Sequence, residues 1–221
     1  MKWRRRNLLG LSRHDPGLAQ SLAENPPTDP SLELLRGPSG AWTARRTDAK
    51  GRKGFVHSSM APLDQARRVI AACLPASFRE DRAPQGAVCL LLGIGLGWPA
   101  LAAAELIPEG VGLWLADSSP DAFSKGLDCL DLSGLWDRRR LRLMFGAPLP
   151  SLVHRLAGAG PGAWTVAVTD SVLDSDPVGR TWALDWLRVL GEIKAPPQAE
   201  ADGLPDWLLQ VGLNLTRGDL A

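Results

Sequence analysis

Residues 86–123 read GAVCLLLGIGLGWPALAAAELIPEGVGLWLADSSPDAF, and their order decides the fold. Residues 87–92 form a short, unbroken apolar run, the pattern of a parallel strand buried on both faces. Gly93, Gly95 and Gly97 follow at once, and Pro99 stands where the first turn of a helix accepts a proline. Residues 100–106 are good helix formers. Residues 111–115 predict a second buried strand, with Asp117 at its end. Glycines let a strand turn sharply into a helix and let a ligand approach the backbone. The helix amino terminus then offers free N–H groups and a partial positive charge to a phosphate or carboxylate. An acid twenty residues past Gly97 can accept hydrogen bonds from ribose hydroxyls. Gly93, Gly95, Gly97 and Trp98 are therefore the candidate floor of a small-molecule site, and Asp117 is its candidate ribose contact. The same glycines suit a turn that packs without a ligand, and Asp117 suits the cap of the next helix equally well. The spacing is G-x-G-x-G and not G-x-G-x-x-G, which points to a methyltransferase-like or degenerate Rossmann sheet.

Strand and helix patterns continue to alternate on the carboxyl side. Residues 118–121 start a helix containing Phe123 and Leu127, residues 141–145 read as a third strand, and residues 149–156 as a helix. Residues 164–169 read as a fourth strand and residues 178–190 as an amphipathic helix with Trp182, Trp186, Leu187 and Leu190 on one side. This predicts an α/β fold: a mostly parallel, methyltransferase-like Rossmann sheet of five to seven strands over residues 58–191. Residues 192–221 read as a linker and an apolar helix with Trp207, Leu208, Leu209, Val211 and Leu213, a surface for a partner or a second copy.

Residues 1–57 differ in character. One helix is expected at 17–23, then two or three short antiparallel strands between 31 and 58, a small β-rich region covering one edge of the main sheet. A helix over 62–74 follows, with Ser58 or Ser59 as its cap and Leu63, Ala66, Ile70, Cys73 and Leu74 on one face.

Composition narrows the function. With 25 basic and 24 acidic residues in 221, the chain lacks an overall nucleic-acid footprint. The clusters Arg4–Arg6, Arg45–Arg46 and Arg138–Arg140 read as solvated loops or helix ends. Cys73, Cys89 and Cys129 sit in apolar contexts without C-x-x-C spacing, as reduced residues of a cytoplasmic protein do. No run is long enough for a membrane span, and the stretch after MKWRRR is too short and polar for a signal-peptide core. His14, His57 and His154 are too scattered for a zinc site. No nucleophile elbow and no P-loop is present, and no residue pair has a spacing that assigns catalysis. Asp174 and Asp176 form a D-x-D, able to hold a metal against a diphosphate and equally an ordinary helix cap before Pro177.

Two resemblances follow from these residues. The strand–glycine–helix–strand–acid order is similar to class I S-adenosylmethionine methyltransferases, although Leu91 stands where that family usually has an acid. More extended is the stretch FVHSSMAPLDQARRVI, then VCLLLGIGLGWPALA, LWLADSSPDAFSKGL and DLSGLWDRRRLRLMFG. It resembles the amino-terminal domain of motility accessory factor-type, and spore-maturation-protein-type, bacterial glycosyltransferases. His57, Ser58, Pro62, Gly93, Gly95, Leu96, Gly97, Trp98, Asp117 and Pro120 match that pattern. Met60, Ala61 and Gln65 depart from it, where Tyr, Asp and Glu are expected. The resemblance implies an accessory or nucleotide-sugar-binding module of protein glycosylation, with the catalytic domain outside this chain. It leaves a nucleotide sugar or S-adenosylmethionine as the small-molecule partner, and a transferase domain or a homodimer through the terminal helix as the protein partner. A methyltransferase and a ligand-free assembly module are the alternatives.

Overall fold

The computed structural model describes residues 2–26, 29–48, 50–79, 82–146, 163–169 and 181–188. The expected helix at 149–156, Asp174 and Asp176, and the terminal helix lie outside them.

The centre is a four-stranded parallel sheet of β4 (Val88–Leu92), β5 (Gly112–Asp117), β6 (Leu141–Phe145) and β7 (Trp164–Val168). The strands lie in the order β6-β5-β4-β7, so the chain steps outward from β4 in one direction and then returns to its other side. Every residue of β4 and of β7 is buried, Thr165 included, as suits parallel strands covered on both faces. One sheet face carries Cys89, Leu91, Leu113, Leu115 and Leu143 into the larger core. There α3 (Pro62–Cys73), α5 (Trp98–Leu106), α6 (Asp121–Cys129) and α7 (Ser133–Trp136) supply its cover. The opposite face, with Val88, Leu90, Leu92, Trp164 and Val166, meets Trp186 and Leu187 of the helix α8 at 181–188. Burying each such aliphatic side chain stabilises the fold by about 2 kcal/mol before entropy is counted.

The amino-terminal region holds the expected short antiparallel strands. Its strands β1 (Leu32–Arg36), β2 (Trp42–Thr47) and β3 (Lys53–Phe55) form a separate antiparallel sheet. That sheet does not extend an edge of the parallel one. It is tied to the turn and helices beyond it: the Trp98 indole donates to Trp42 O at 2.8 Å, and Lys125 Nζ to Leu32 O at 2.6 Å.

Residues 1–30 also hold two helices where one was expected, α1 (Arg4–Leu11) and α2 (Pro16–Glu24). Helix α1 has no simple apolar stripe because its inward anchor is polar. Asn7 Nδ2 donates to Leu127 O and Leu130 O, while Asn7 Oδ1 accepts from Leu132 N and the Trp136 indole. All four hydrogen-bonding positions of the amide are thereby filled, so its burial costs little. At α3, Ala61 and not a serine occupies the cap position. Ser58 instead closes the preceding turn, its Oγ accepting from Met60 N and Ala61 N at 3.2 Å.

Candidate functional site

Strand β4 ends at Leu92, and the chain turns through Gly93, Ile94, Gly95, Leu96 and Gly97 into α5. The three glycines have φ of 92°, 54° and 113°, the region that favours glycine. Gly93 N donates to Ala116 O and Gly97 N to Ile94 O. The three amides between them point at side chains brought from elsewhere. Ile94 N and Gly95 N both donate to Asp117 Oδ2, at 2.8 and 3.1 Å. Leu96 N donates to His57 Nε2 at 2.9 Å. Successive N–H groups of this kind form an anion-binding nest, and here the protein's own side chains fill it.

Asp117 reaches the turn because β5 pairs with β4 in parallel register, Leu92 opposite Ala116. Its second oxygen, Oδ1, accepts from Ser118 N at 2.8 Å. Burial pushes its pKa up, and the amide hydrogen bonds from Gly95, Ile94 and Ser118 oppose that rise by favouring the ionised form.

His57 comes from the segment that follows β3. The side chain is buried, and burial holds its pKa down at about 3. Accepting at Nε2 requires the neutral ring. The segment is pinned on both sides: Thr43 Oγ1 donates to His57 O at 2.9 Å, and Ser58 N donates to Gln65 Oε1 at 2.7 Å. Gln65 is one of the departures from the glycosyltransferase pattern, yet its amide oxygen can do what the expected carboxylate oxygen would. The approach of ring to turn is so close that a Cβ on Gly95 would lie 2.3 Å from His57 Nε2. From the other side α6 presses on the turn, and a Cβ on Gly126 would lie 1.8 Å from Leu96 O.

Open α/β sheets bind ligands at the carboxyl ends of their strands, where the strand order reverses. In this sheet that place lies between β4 and β7. Thr169 Oγ1 bridges it by donating to Gly93 O at 2.8 Å. The cleft remaining there, lined by His57, Gln65, Ala66, Pro99 and Thr169 among others, has room for about one water molecule.

The structure thus gathers Gly93, Gly95, Gly97, Trp98 and Asp117 around one turn, as their spacing implied. It also adds His57, which the sequence marked through the resemblance but not as a contact of the turn, and Thr169, which it marked only as the end of a strand. Three consecutive amides in a glycine turn need acceptors beyond the turn itself, and that need was the available signal for His57. Among the described residues no group of three or more His, Cys, Asp or Glu could hold a metal ion. No helix there is long and apolar enough to cross a membrane.

No protein-family model matches the chain, and no curated protein does. Among solved structures it is similar to the MAf glycosyltransferase from Magnetospirillum magneticum AMB-1, with a TM-score of 0.57 and 14% identity over 88% of this chain. The chain spans 36% of that transferase, about a third of its length. MnmC2 from Aquifex aeolicus is a weaker match, with a TM-score of 0.34 and 15% identity over 88% of this chain and 70% of that one. At such identities the likeness to the transferase is one of fold. The chain has a Rossmann-like α/β fold.

Proposed function

We propose that this chain is an accessory, non-catalytic module of bacterial protein glycosylation, in which the glycine turn is a structural joint. One observation carries the reading. The residues that resemble motility accessory factor-type glycosyltransferases lie as far apart as His57 and Asp117, yet they converge on one hydrogen-bonded turn. What such a pattern maintains in this chain is the joint between the antiparallel region and the Rossmann-like sheet. A nucleotide would have to displace Asp117 or His57 to reach the three amides. The methyltransferase alternative is disfavoured because Asp117 Oδ2 already accepts from Ile94 N and Gly95 N, which leaves only Oδ1, shared with Ser118 N, to face a ribose hydroxyl.

The test is calorimetric titration of the chain with S-adenosylmethionine, S-adenosylhomocysteine, CMP-sugars and UDP-sugars in magnesium. The expected result is no binding tighter than about millimolar. Micromolar binding of a nucleotide sugar would make Gly93, Gly95, Gly97, Trp98 and Asp117 a donor site and overturn the structural reading. Micromolar binding of the adenosyl compounds alone would favour the methyltransferase. For the biological role, deleting the gene in its own organism should change the glycan masses on surface or flagellar proteins. An unaltered set of glycopeptides by mass spectrometry would remove glycosylation from the proposal.

A further inference from the structure

Helix α1 turns Asn7, Gly10 and Leu11 into the protein. At 3.6 residues per turn Arg5, Arg6 and Leu9 fall on the outward side. Lys2 and Arg13, just beyond the helix ends, fall on the same side at that spacing. All five are exposed, Leu9 to 62%. Lys2 Nζ lies 4.9 Å from the centre of the half-buried Trp3 ring, and the Arg6 guanidinium 5.8 Å from it.

Several arginines elsewhere are held by carboxylates. Arg4, Arg45, Arg46, Arg52 and Arg67 each lie within 3.3 Å of a carboxylate. Among the described residues the one ion pair of the stripe is Arg6 with Asp131, at 3.8 Å and with both side chains well exposed, where such a pair contributes little. The side chains of Arg5 and Arg13 have neither a hydrogen bond nor an ion pair to any described residue. Four cations on one side of a short helix repel one another, in a chain whose net charge is only +1.

We propose that this stripe docks on an anionic bilayer surface. Lys2, Arg5, Arg6 and Arg13 would meet lipid phosphates, with Leu9 and the edge of Trp3 at the boundary between headgroup and acyl chain. Long cationic side chains free of fixed partners suit a fluid array of headgroups better than the fixed carboxylates of a folded protein. An exposed leucine at the centre of the cations adds apolar area to their electrostatic attraction, and both terms strengthen binding to an anionic interface. A contact made to nucleic-acid phosphates would gain nothing from that leucine. Helix α1 packs on α2, α6 and α7, so its outward side is open to a flat surface.

Co-sedimentation of the full chain with vesicles tests this. Binding to mixed phosphatidylglycerol–phosphatidylcholine vesicles at low salt is expected to exceed binding to pure phosphatidylcholine at least about tenfold. It is expected to vanish near 1 M salt, where the Debye length falls to about 3 Å. The double variant Arg5→Glu, Arg13→Glu should lose at least about tenfold in binding, and Leu9→Ala should lose a smaller part. Lys50→Glu, Lys53→Glu makes the same change in net charge on the antiparallel sheet and should bind as the parent does. Circular dichroism checks that each variant is folded. No binding to the anionic vesicles overturns the proposal, as does an equal loss from the two double variants. Retention on polyglutamate without retention on vesicles also overturns it, and would assign the stripe to an acidic protein.

Discussion

Replacing Asp117 by alanine separates a structural joint from a ligand site. The carboxylate serves Ile94 N, Gly95 N and Ser118 N. Hydrogen bonds to a charged acceptor contribute about 1.5–3 kcal/mol each, and a donor left dry costs about 1–3 kcal/mol. Two effects reduce the total. Asp117 is only half-buried, so water can reach part of the vacated space, and removing the carboxylate relieves the burial that raises its pKa. The net loss for Asp117→Ala should be about 2–4 kcal/mol. Asp117→Asn keeps an oxygen for Ile94 N and Gly95 N and turns its NH2 on Ser118 N. It should lose about 1–2 kcal/mol. Equilibrium urea unfolding followed by tryptophan fluorescence reads both values. An alanine variant within about 0.5 kcal/mol of the parent, inside the ordinary range for surface positions, would refute the claim that Asp117 holds the turn. Equal losses in the two variants would refute the assignment of the loss to the missing acceptor.

The depressed pKa of His57 gives a pH dependence with a definite sign. The folded state holds the ring neutral down to about 3, while the unfolded ring takes its proton near 6.5. The unfolded state therefore binds more protons between these values, and stability falls as pH falls through that window by up to about 1.4 kcal/mol per unit. Urea midpoints measured from pH 7 to 4.5 should follow that slope, and His57→Gln, which can still accept from Leu96 N, should flatten it. An unchanged slope in the variant would detach it from His57. Gly126→Ala places a methyl against the Leu96 carbonyl and should cost about 3 kcal/mol, in the upper range for single substitutions. Gly134→Ala, with open space around it, should be neutral or stabilising by up to about 1 kcal/mol. Equal melting temperatures for these two variants would mean that α6 does not press on the turn.

The sequence by itself determined the strands and most of the helices. Residues 88–92 and 164–168 read as buried strands because they are short, mostly apolar and bounded by turn residues, which suits a sheet covered on both faces. The glycines, Pro99 and Asp117 likewise announced a strand–turn–helix–strand unit, since each answers a local backbone requirement. Local patterns stop there. Helix α1 escaped a reading by periodicity because Asn7, its inward anchor, is polar and is satisfied only by groups more than a hundred residues away. The antiparallel strands were legible by alternation. Their place beside the turn was decided by contacts such as Trp98 to Trp42 and Lys125 to Leu32. Which acceptors the turn amides find was also a tertiary outcome: Ile94 and Asp117 are 23 residues apart, Leu96 and His57 are 39. Spacing can say that three N–H groups will need partners. Only the packed chain, bringing β5 alongside β4 and the segment after β3 over both, decides that those partners come from the protein itself.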